Sequence, residues 1–214
     1  MPLRINPIRK RILFVTPYSS AKGLKETTSS GCGAEESLLI LLENLNRDKY
    51  LPFVVYPLES FFKEQTSDVD AKWKLERMGI EYCLLPMCAL KRNDNPFALI
   101  QVFWQTLVLI FRLSRLIKRE KIDLVHTNSS QVLASGIAAR FCGVPSVYHI
   151  RQLIAHPKIF RKVLARIMDI LADKIIGISA AVCEMFWENG ISRHKCITIF
   201  NGVDLRRYSW ELNS

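Results

Sequence analysis

The chain has 214 residues, of which 49% are hydrophobic, 10% aromatic and 23% charged, a balance that excludes a disordered or fibrous protein and allows one sizeable core. The formal net charge of +10 suits an anionic partner such as phospholipid headgroups, nucleic acid or a phosphorylated substrate. Its basic residues are dispersed apart from Arg9-Lys10-Arg11 and the run from Arg112 to Lys121, which argues against a dedicated nucleic-acid groove.

The N-terminus is basic and then apolar, but the apolar part is only about six residues before Pro17, too short for a signal-peptide core. It reads instead as a first buried strand, Arg11 to Thr16. A long polar loop follows from Pro17 to Gly33, and unstructured loops of that length are usually functional or disordered. Helical spacing of apolar residues then predicts a helix from Ala34 to Leu45, with Glu35 and Glu36 at its start, where the dipole favours anions. Leu51 to Tyr56 is a strand, Asp70 to Met78 a helix stopped by Gly79, and Ile80 to Leu85 a third strand.

Pro96 to Lys121 is a long helix, and Ile122 to Thr127 a strand. Gln131 to Phe141 is a small-residue helix with Gly143 as its stop, followed by a strand over Ser146 to Ile150. A helix over Ile159 to Leu171, a strand over Lys174 to Ile178 and a helix over Ala180 to Glu188 continue the pattern. The last apolar run, Cys196 to Phe200, reads as a buried strand closed by a turn at Asn201-Gly202. Strands alternating with helices demand crossovers and a parallel sheet covered on both faces, so the expected fold is one doubly wound α/β domain.

In such sheets ligands bind at the carboxyl ends of the strands, near the point where strand order reverses. The informative residues therefore follow the apolar runs: Pro17 to Gly33, Thr127 to Ser130, His149 to Gln152, Ser179, and Asn201-Gly202. Gly31-Cys32-Gly33 superficially resembles a dinucleotide fingerprint. It stands about fifteen residues after its strand, and Glu36 occupies the third glycine's place, so that reading fails. Two readings of the glycines stay open: a loop closing onto a helix start, or a backbone approach to a ligand allowed by missing side chains.

His126 reads as a buried residue, with Asn128 and Ser129 better placed to touch a ligand. Strand alternation puts His149 and Arg151 on one face, an imidazole beside a guanidinium, suited to sugar hydroxyls and phosphate. The competing reading is a strand end with a solvated arginine. His156 reads as a surface residue. Six cysteines without Cys-x-x-Cys spacing suit reduced thiols in a cytosolic protein, not a disulfide frame or a zinc site. No nucleophile elbow, phosphate-binding loop or paired-acid motif is present, so the chain shows no complete catalytic set.

The long helix has a further property. Between Asp94 and Arg112 there is no charged residue, yet Gln101, Gln105 and Thr106 interrupt a run short of the roughly 20 apolar residues that span a bilayer. At 100° per residue, Gln101, Gln105, Arg112, Arg115 and Arg119 form a polar stripe. Phe97, Trp104, Val108 and Phe111 fall on or beside it. Aromatics joined to a basic end suit an anionic membrane surface, and the alternative is a helix packed more deeply in the domain or against a partner.

Seven segments, in order, resemble the N-terminal half of family-4-type glycosyltransferases, which have the GT-B architecture of two facing Rossmann-like domains. They are RILFVTP, the Gly31-x-Gly33-Ala34-Glu35 helix start, KLERMGIEYCLLP, IDLVHTNS, AARFCGVPSVYHIR, ADKIIGISAAV and ITIFNGVD, covering about Arg11 to Asp204. The resemblance implies a glycosyltransferase domain over 1–204, with 205–214 starting an interdomain linker.

It also implies a retaining enzyme that needs no metal or cofactor beyond the nucleotide-sugar co-substrate. Gly31 and Gly33 would approach the donor diphosphate. His149 would contact the donor sugar near the reacting carbon, Asn128, Ser129 and Arg151 would line the acceptor side, and Asn201-Gly202 would form the hinge. The chain departs from the commonest Gly-Gly pair by inserting Cys32. The donor domain, with the family's paired glutamates, is not in these residues, so the expectation is an acceptor-binding half, inactive alone, acting with a partner chain or a further domain. A glycan or lipid-linked acceptor and a cytoplasmic location on the inner membrane face complete that expectation. The alternative is a non-catalytic binding module or subunit that keeps the fold.

Overall fold

The computed structural model describes residues 9–16, 33–58, 73–87, 96–153 and 157–202. Seven strands form one all-parallel sheet: β1 (Lys10–Val15), β2 (Tyr50–Pro57), β3 (Glu81–Leu85), β4 (Leu124–Thr127), β5 (Ser146–Ile150), β6 (Lys174–Gly177) and β7 (Cys196–Thr198). Their order is β3-β2-β1-β4-β5-β6-β7. Among the described residues five helices connect them: α1 (Gly33–Glu43), α2 (Pro96–Arg119), α3 (Leu133–Phe141), α4 (Lys158–Leu171) and α5 (Ala180–Trp187). A helical stretch over 73–77 precedes β3. The doubly wound α/β class and the predicted elements match, with the described ends moved by at most two residues and the start expected at Asp70 lying outside the described residues. Gly79 (φ 61°) and Gly143 (φ 67°) take the left-handed conformation where those helices were expected to stop.

Both faces of the central strands are packed, which is why they read as unbroken apolar runs. On one face Ile12, Phe14, Val54 and Tyr56 meet Leu38, Leu39 and Leu42 of α1, with Leu75 and Ile80. On the other, Leu13, Val15, Phe53, Val55 and Val125 meet Leu109, Leu113, Leu116 and Ile117 of α2 and the alanines of α3. A second cluster on that face joins Tyr148, Ile150 and Ile175 to α4 and α5.

The last strand corrects an expectation. The run to Phe200 is not buried: Cys196 is enclosed, but Ile197, Ile199 and Phe200 are exposed. Strand β7 lies at the sheet's edge and ends at Thr198, so the sheet gives these side chains neighbours on one side only.

Two of the three residues of the first basic cluster are ion-paired within the chain. Lys10 pairs with Asp123 at 2.8 Å, and Arg11 pairs with Glu81 and with Glu120, the latter at 3.2 Å. These pairs lie at the sheet's amino edge and leave the opposite, carboxyl edge free for ligands. The four described cysteines, Cys83, Cys142, Cys183 and Cys196, are free thiols.

Beneath β5, the wholly buried Tyr148 fixes strand to helix. Its hydroxyl accepts from the Gly136 amide at 3.1 Å and lies 3.3 Å from both the Val132 and Leu133 carbonyls. Helix α3 has no side-chain cap at Val132, so this phenol takes the place of one. Only glycine fits opposite it, because a Cβ at Gly136 would sit 2.5 Å from the Tyr148 oxygen and 3.1 Å from the Leu171 Cβ. Gly136→Ala should therefore destabilise the chain by about 1–3 kcal/mol through overpacking, against the roughly 1 kcal/mol that alanine normally gains in a helix. Urea denaturation measures it, and a Tyr148→Phe background should shrink the penalty.

Candidate functional site at the carboxyl edge

The sheet order reverses direction at β1, which pairs with β2 on one side and β4 on the other. The crevice at the carboxyl ends of β1 and β4 is where doubly wound folds bind ligands. Helix α1 starts above β1, and Asn128 follows β4, its amide bonded to the Val15 carbonyl at 2.8 Å. Strands β4 and β5 pair with Thr127 against Tyr148, so the next step of the register brings Asn128 beside His149.

Arg151 gathers these residues. Its Nε donates to Asn128 Oδ1 at 2.6 Å, and its Nη1 donates to Asn201 Oδ1 at 2.6 Å. Its Nη2 lies 3.4 Å from His149 Nδ1. Asn128 is itself buried, and its Nδ2 donates to the Ala34 carbonyl in the first turn of α1 at 3.0 Å. One guanidinium thus ties the exit of β4, the exit of β5, the segment after β7 and, through Asn128, the start of α1.

Three sequence-predicted site residues, Asn128, His149 and Arg151, are in this cluster, and Asn201, expected only as a hinge, is a direct partner of Arg151. Arg151 is half-buried and bonded on three nitrogens. Ser129 instead accepts from the Gln131 amide at 3.1 Å and shapes the turn into α3. Ser179 caps α5, accepting from the Val182 amide at 3.4 Å. Gly33 opens α1, and a Cβ there would meet no atom within 4 Å. Gly202 is exposed near Ile40 of α1. Gly31, Cys32 and His156 lie outside the described residues.

His126, expected only as a buried residue, lies against this site. Its ring packs on Phe14 with centroids 5.0 Å apart and meets His149 edge-on at 5.5 Å. The only available signal was alternation, since His126 and Asn128 share one side of the same strand.

Both imidazoles are held neutral. Burial first, then the Arg151 charge, lowers His126 to about 4. Burial, then Arg151, then His126, lowers His149 to about 3. Burial also lowers Arg151, to about 10, which leaves it charged at neutral pH. A guanidinium has only donors, so His149 Nδ1 accepts, which leaves the proton on Nε2. That Nε2 is buried and has no hydrogen-bond partner among the described residues. His126 Nε2 is likewise buried without a hydrogen-bond partner among the described residues, so the cluster holds two neutral imidazoles next to one cation whose bonded partners there are all uncharged.

Depressed histidine pKa values link stability to pH. The unfolded chain takes up these two protons near 6.5, whereas the folded chain resists them down to about 4 for His126 and about 3 for His149. Their contribution is complete above 6.5 and is lost as the pH falls through that window. The urea midpoint should therefore drop between pH 6.5 and about 4 by the equivalent of a few kcal/mol. A His126→Phe, His149→Gln variant should lose most of that slope.

A profile of Glycosyltransferase Family 4 matches residues 33–207, most of the chain. Among curated proteins, the chain is similar to UDP-Gal:alpha-D-GlcNAc-diphosphoundecaprenol alpha-1,3-galactosyltransferase of Escherichia coli. The two are 33% identical over 118 residues, which cover 49% of this chain and 29% of that protein. Among solved structures, a glycosyltransferase from Rickettsia africae superposes with a TM-score of 0.64 at 19% identity, covering 94% of this chain and 45% of its own. Anabaena Alr3699/HepE in complex with UDP gives a TM-score of 0.58 at 20% identity, covering 92% and 46%. The chain thus spans less than half the length of these relatives. By the match over most of its length and by its seven-stranded parallel sheet, the chain belongs to glycosyltransferase family 4 and has the fold of the N-terminal Rossmann-like domain of a GT-B enzyme.

Proposed function

We propose that this chain is the acceptor-binding half of a retaining glycosyltransferase that moves a sugar from a nucleotide-sugar donor to a lipid-linked glycan acceptor. The observation that carries the reading is the carboxyl-edge cluster, in which the His149 Nε2 donor and the Arg151 cation stand side by side without a carboxylate among their bonded partners. A neutral imidazole N–H suits a sugar hydroxyl near the reacting carbon. At a pKa of about 3, His149 is too weak a base to take a proton at neutral pH, so its role is a fixed hydrogen bond. The uncompensated Arg151 suits a phosphate oxygen, and a lipid-linked sugar carries such a group on the acceptor side. Asn128 is bonded to it, and Ser129, the next residue, would line the same acceptor side.

The open space around Gly33 supports a close approach of the donor diphosphate to the start of α1, because nothing in the described chain requires glycine there. Asn201 and Gly202 then form the hinge, with Arg151 bonded to Asn201 at the point where the chain leaves the sheet. Two relatives support the substrate class: the Escherichia coli one is a UDP-Gal:alpha-D-GlcNAc-diphosphoundecaprenol galactosyltransferase, and the Anabaena structure is a complex with UDP. The leaving diphosphate is offset by a donor domain supplied beyond these residues or by a partner chain, and the chemistry uses no metal.

On this reading the 214 residues alone transfer no sugar. Joined at Gly202 to the donor half of the Escherichia coli relative, they should transfer hexose from a UDP-sugar to an undecaprenyl-diphosphate-linked sugar. Radiolabel transfer reads it, and turnover by the chain alone, or none by any such chimera, contradicts the proposal. In an active chimera, His149→Ala should lower turnover by a factor on the order of 10², the scale of a lost transition-state hydrogen bond. His149→Gln, which keeps an N–H donor, should recover part of it. Arg151→Ala should act mainly on the acceptor KM.

A further inference from the structure

Helix α2 is two-sided. Leu109, Leu113, Leu116 and Ile117 pack into the core. At 100° per residue the opposite side carries Ile100, Trp104, Leu107 and Phe111, flanked by Phe103 and Val108. All six are exposed, Trp104 by 61% and Phe111 by 64%. The outward face is thus centred on these residues and not on the glutamines, and Gln105 is half-buried. Further along the same outward side come Arg115 and Lys118, both exposed and, among the described residues, without an ion pair. By length and composition the stretch Ile100–Arg119 is apolar enough to cross a membrane, with mean hydropathy 1.4, which corrects the expectation that the run falls short of a span. Its four core-packed residues nevertheless tie it to the sheet, and spanning would strip them out.

Helix α4 repeats the design. Leu164, Ala165 and Met168 face the core, while Ile159, Val163 and Ile170 face away, Ile159 exposed by 76%. Helices α2 and α4 lie on the same face of the sheet, to either side of α3. Their charge is one-sided: α2 carries Arg112, Arg115, Lys118 and Arg119 with no acid, and α4 carries Lys158, Arg161, Lys162 and Arg166 against Asp169 alone. Arg119 is paired with Glu120 at 2.8 Å and Arg161 is half-buried, which leaves Arg112, Arg115 and Lys118 on α2 and Lys158, Lys162 and Arg166 on α4 as exposed cations without an ion pair among the described residues. Apolar residues facing water and flanked by such cations match an anionic lipid surface in both the apolar and the charged part. In a parallel α/β sheet each helix starts beside the carboxyl edge. The apolar half of α2 and the start of α4, with Ile159 and Val163, therefore lie on the same edge as Arg151, α4 beginning seven residues after it, while Ile170 lies toward the far end.

We propose that the outward faces of α2 and α4 together form a docking surface for an anionic bilayer, which holds the carboxyl-edge site at the lipid headgroups. This deepens the reading of a lipid-linked acceptor and rests on it for its purpose. Its test needs no sugar transfer, so either idea can fail without the other.

The purified chain should co-sediment with phosphatidylcholine vesicles containing about 30% phosphatidylglycerol, and far less with phosphatidylcholine alone. Brominated lipids should quench its tryptophan fluorescence, and Trp104→Phe should remove most of that quenching. A Trp104→Gln, Phe111→Gln, Ile159→Gln variant should lose at least about tenfold in vesicle partitioning with its thermal melt unchanged, since these side chains already face water. Arg115→Glu with Lys118→Glu should weaken binding to the anionic vesicles by at least about fivefold, the factor for one basic residue near such a surface. Equal affinity for neutral and anionic vesicles, no bromolipid quenching, or a dimer dissolved by the glutamine variant would overturn the proposal, the last by assigning the face to a second copy.

Discussion

The Arg151 guanidinium is the tie on which the site's geometry depends. A half-buried cation must find acceptors or lose much of its solvation energy. Here its acceptors are two asparagine side-chain oxygens and an imidazole nitrogen, contributed by segments 23, 50 and two residues away in sequence. Because all three are neutral, the bonds fix the guanidinium without cancelling its charge. The positive charge stays available at the carboxyl edge, and burial strengthens it relative to the same group in water.

The rest of the sheet serves that arrangement. Tyr148 locks β5 to the start of α3 from below, and Thr127 and Ser135 share a hydrogen bond of 2.6 Å between β4 and the same helix. His149 and Arg151 thus leave a strand end that is held on its packed side, and Asn128 is held by α1. Sites on such rigid elements keep their geometry better than sites on free loops. The same burial sets the protonation state. Two imidazoles beside a guanidinium cannot also carry charge, so the site is a donor and a cation and not an acid–base pair.

The helical layer follows a different logic. A helix covering a sheet needs one apolar stripe, and α2 and α4 each have a second one facing outward. A second stripe costs solubility and has no use in the core. Its coincidence with unpaired basic residues on the same layer distinguishes it from scattered surface apolar residues.

The sequence alone determined the element order, the parallel α/β class and the rule that the residues after each strand matter. Local signals suffice for these: unbroken apolar runs for buried strands, helical spacing, and glycine at helix stops. His149 and Arg151 could be paired from alternation within one strand. What only the tertiary structure decided was which strand lies beside which. Placing β4 next to β5 brings Asn128 to Arg151, and carrying β7 to the edge brings Asn201 to Arg151 while leaving Ile197 to Phe200 in the open. The periodicity of α2 showed a helix with too many apolar residues but placed its outward face a quarter-turn away, among the glutamines. The physical reason is common to all of these. Periodicity reports how a segment would be buried, whereas strand order and helix rotation are settled by whole faces packing together, a long-range condition that no single window of sequence contains.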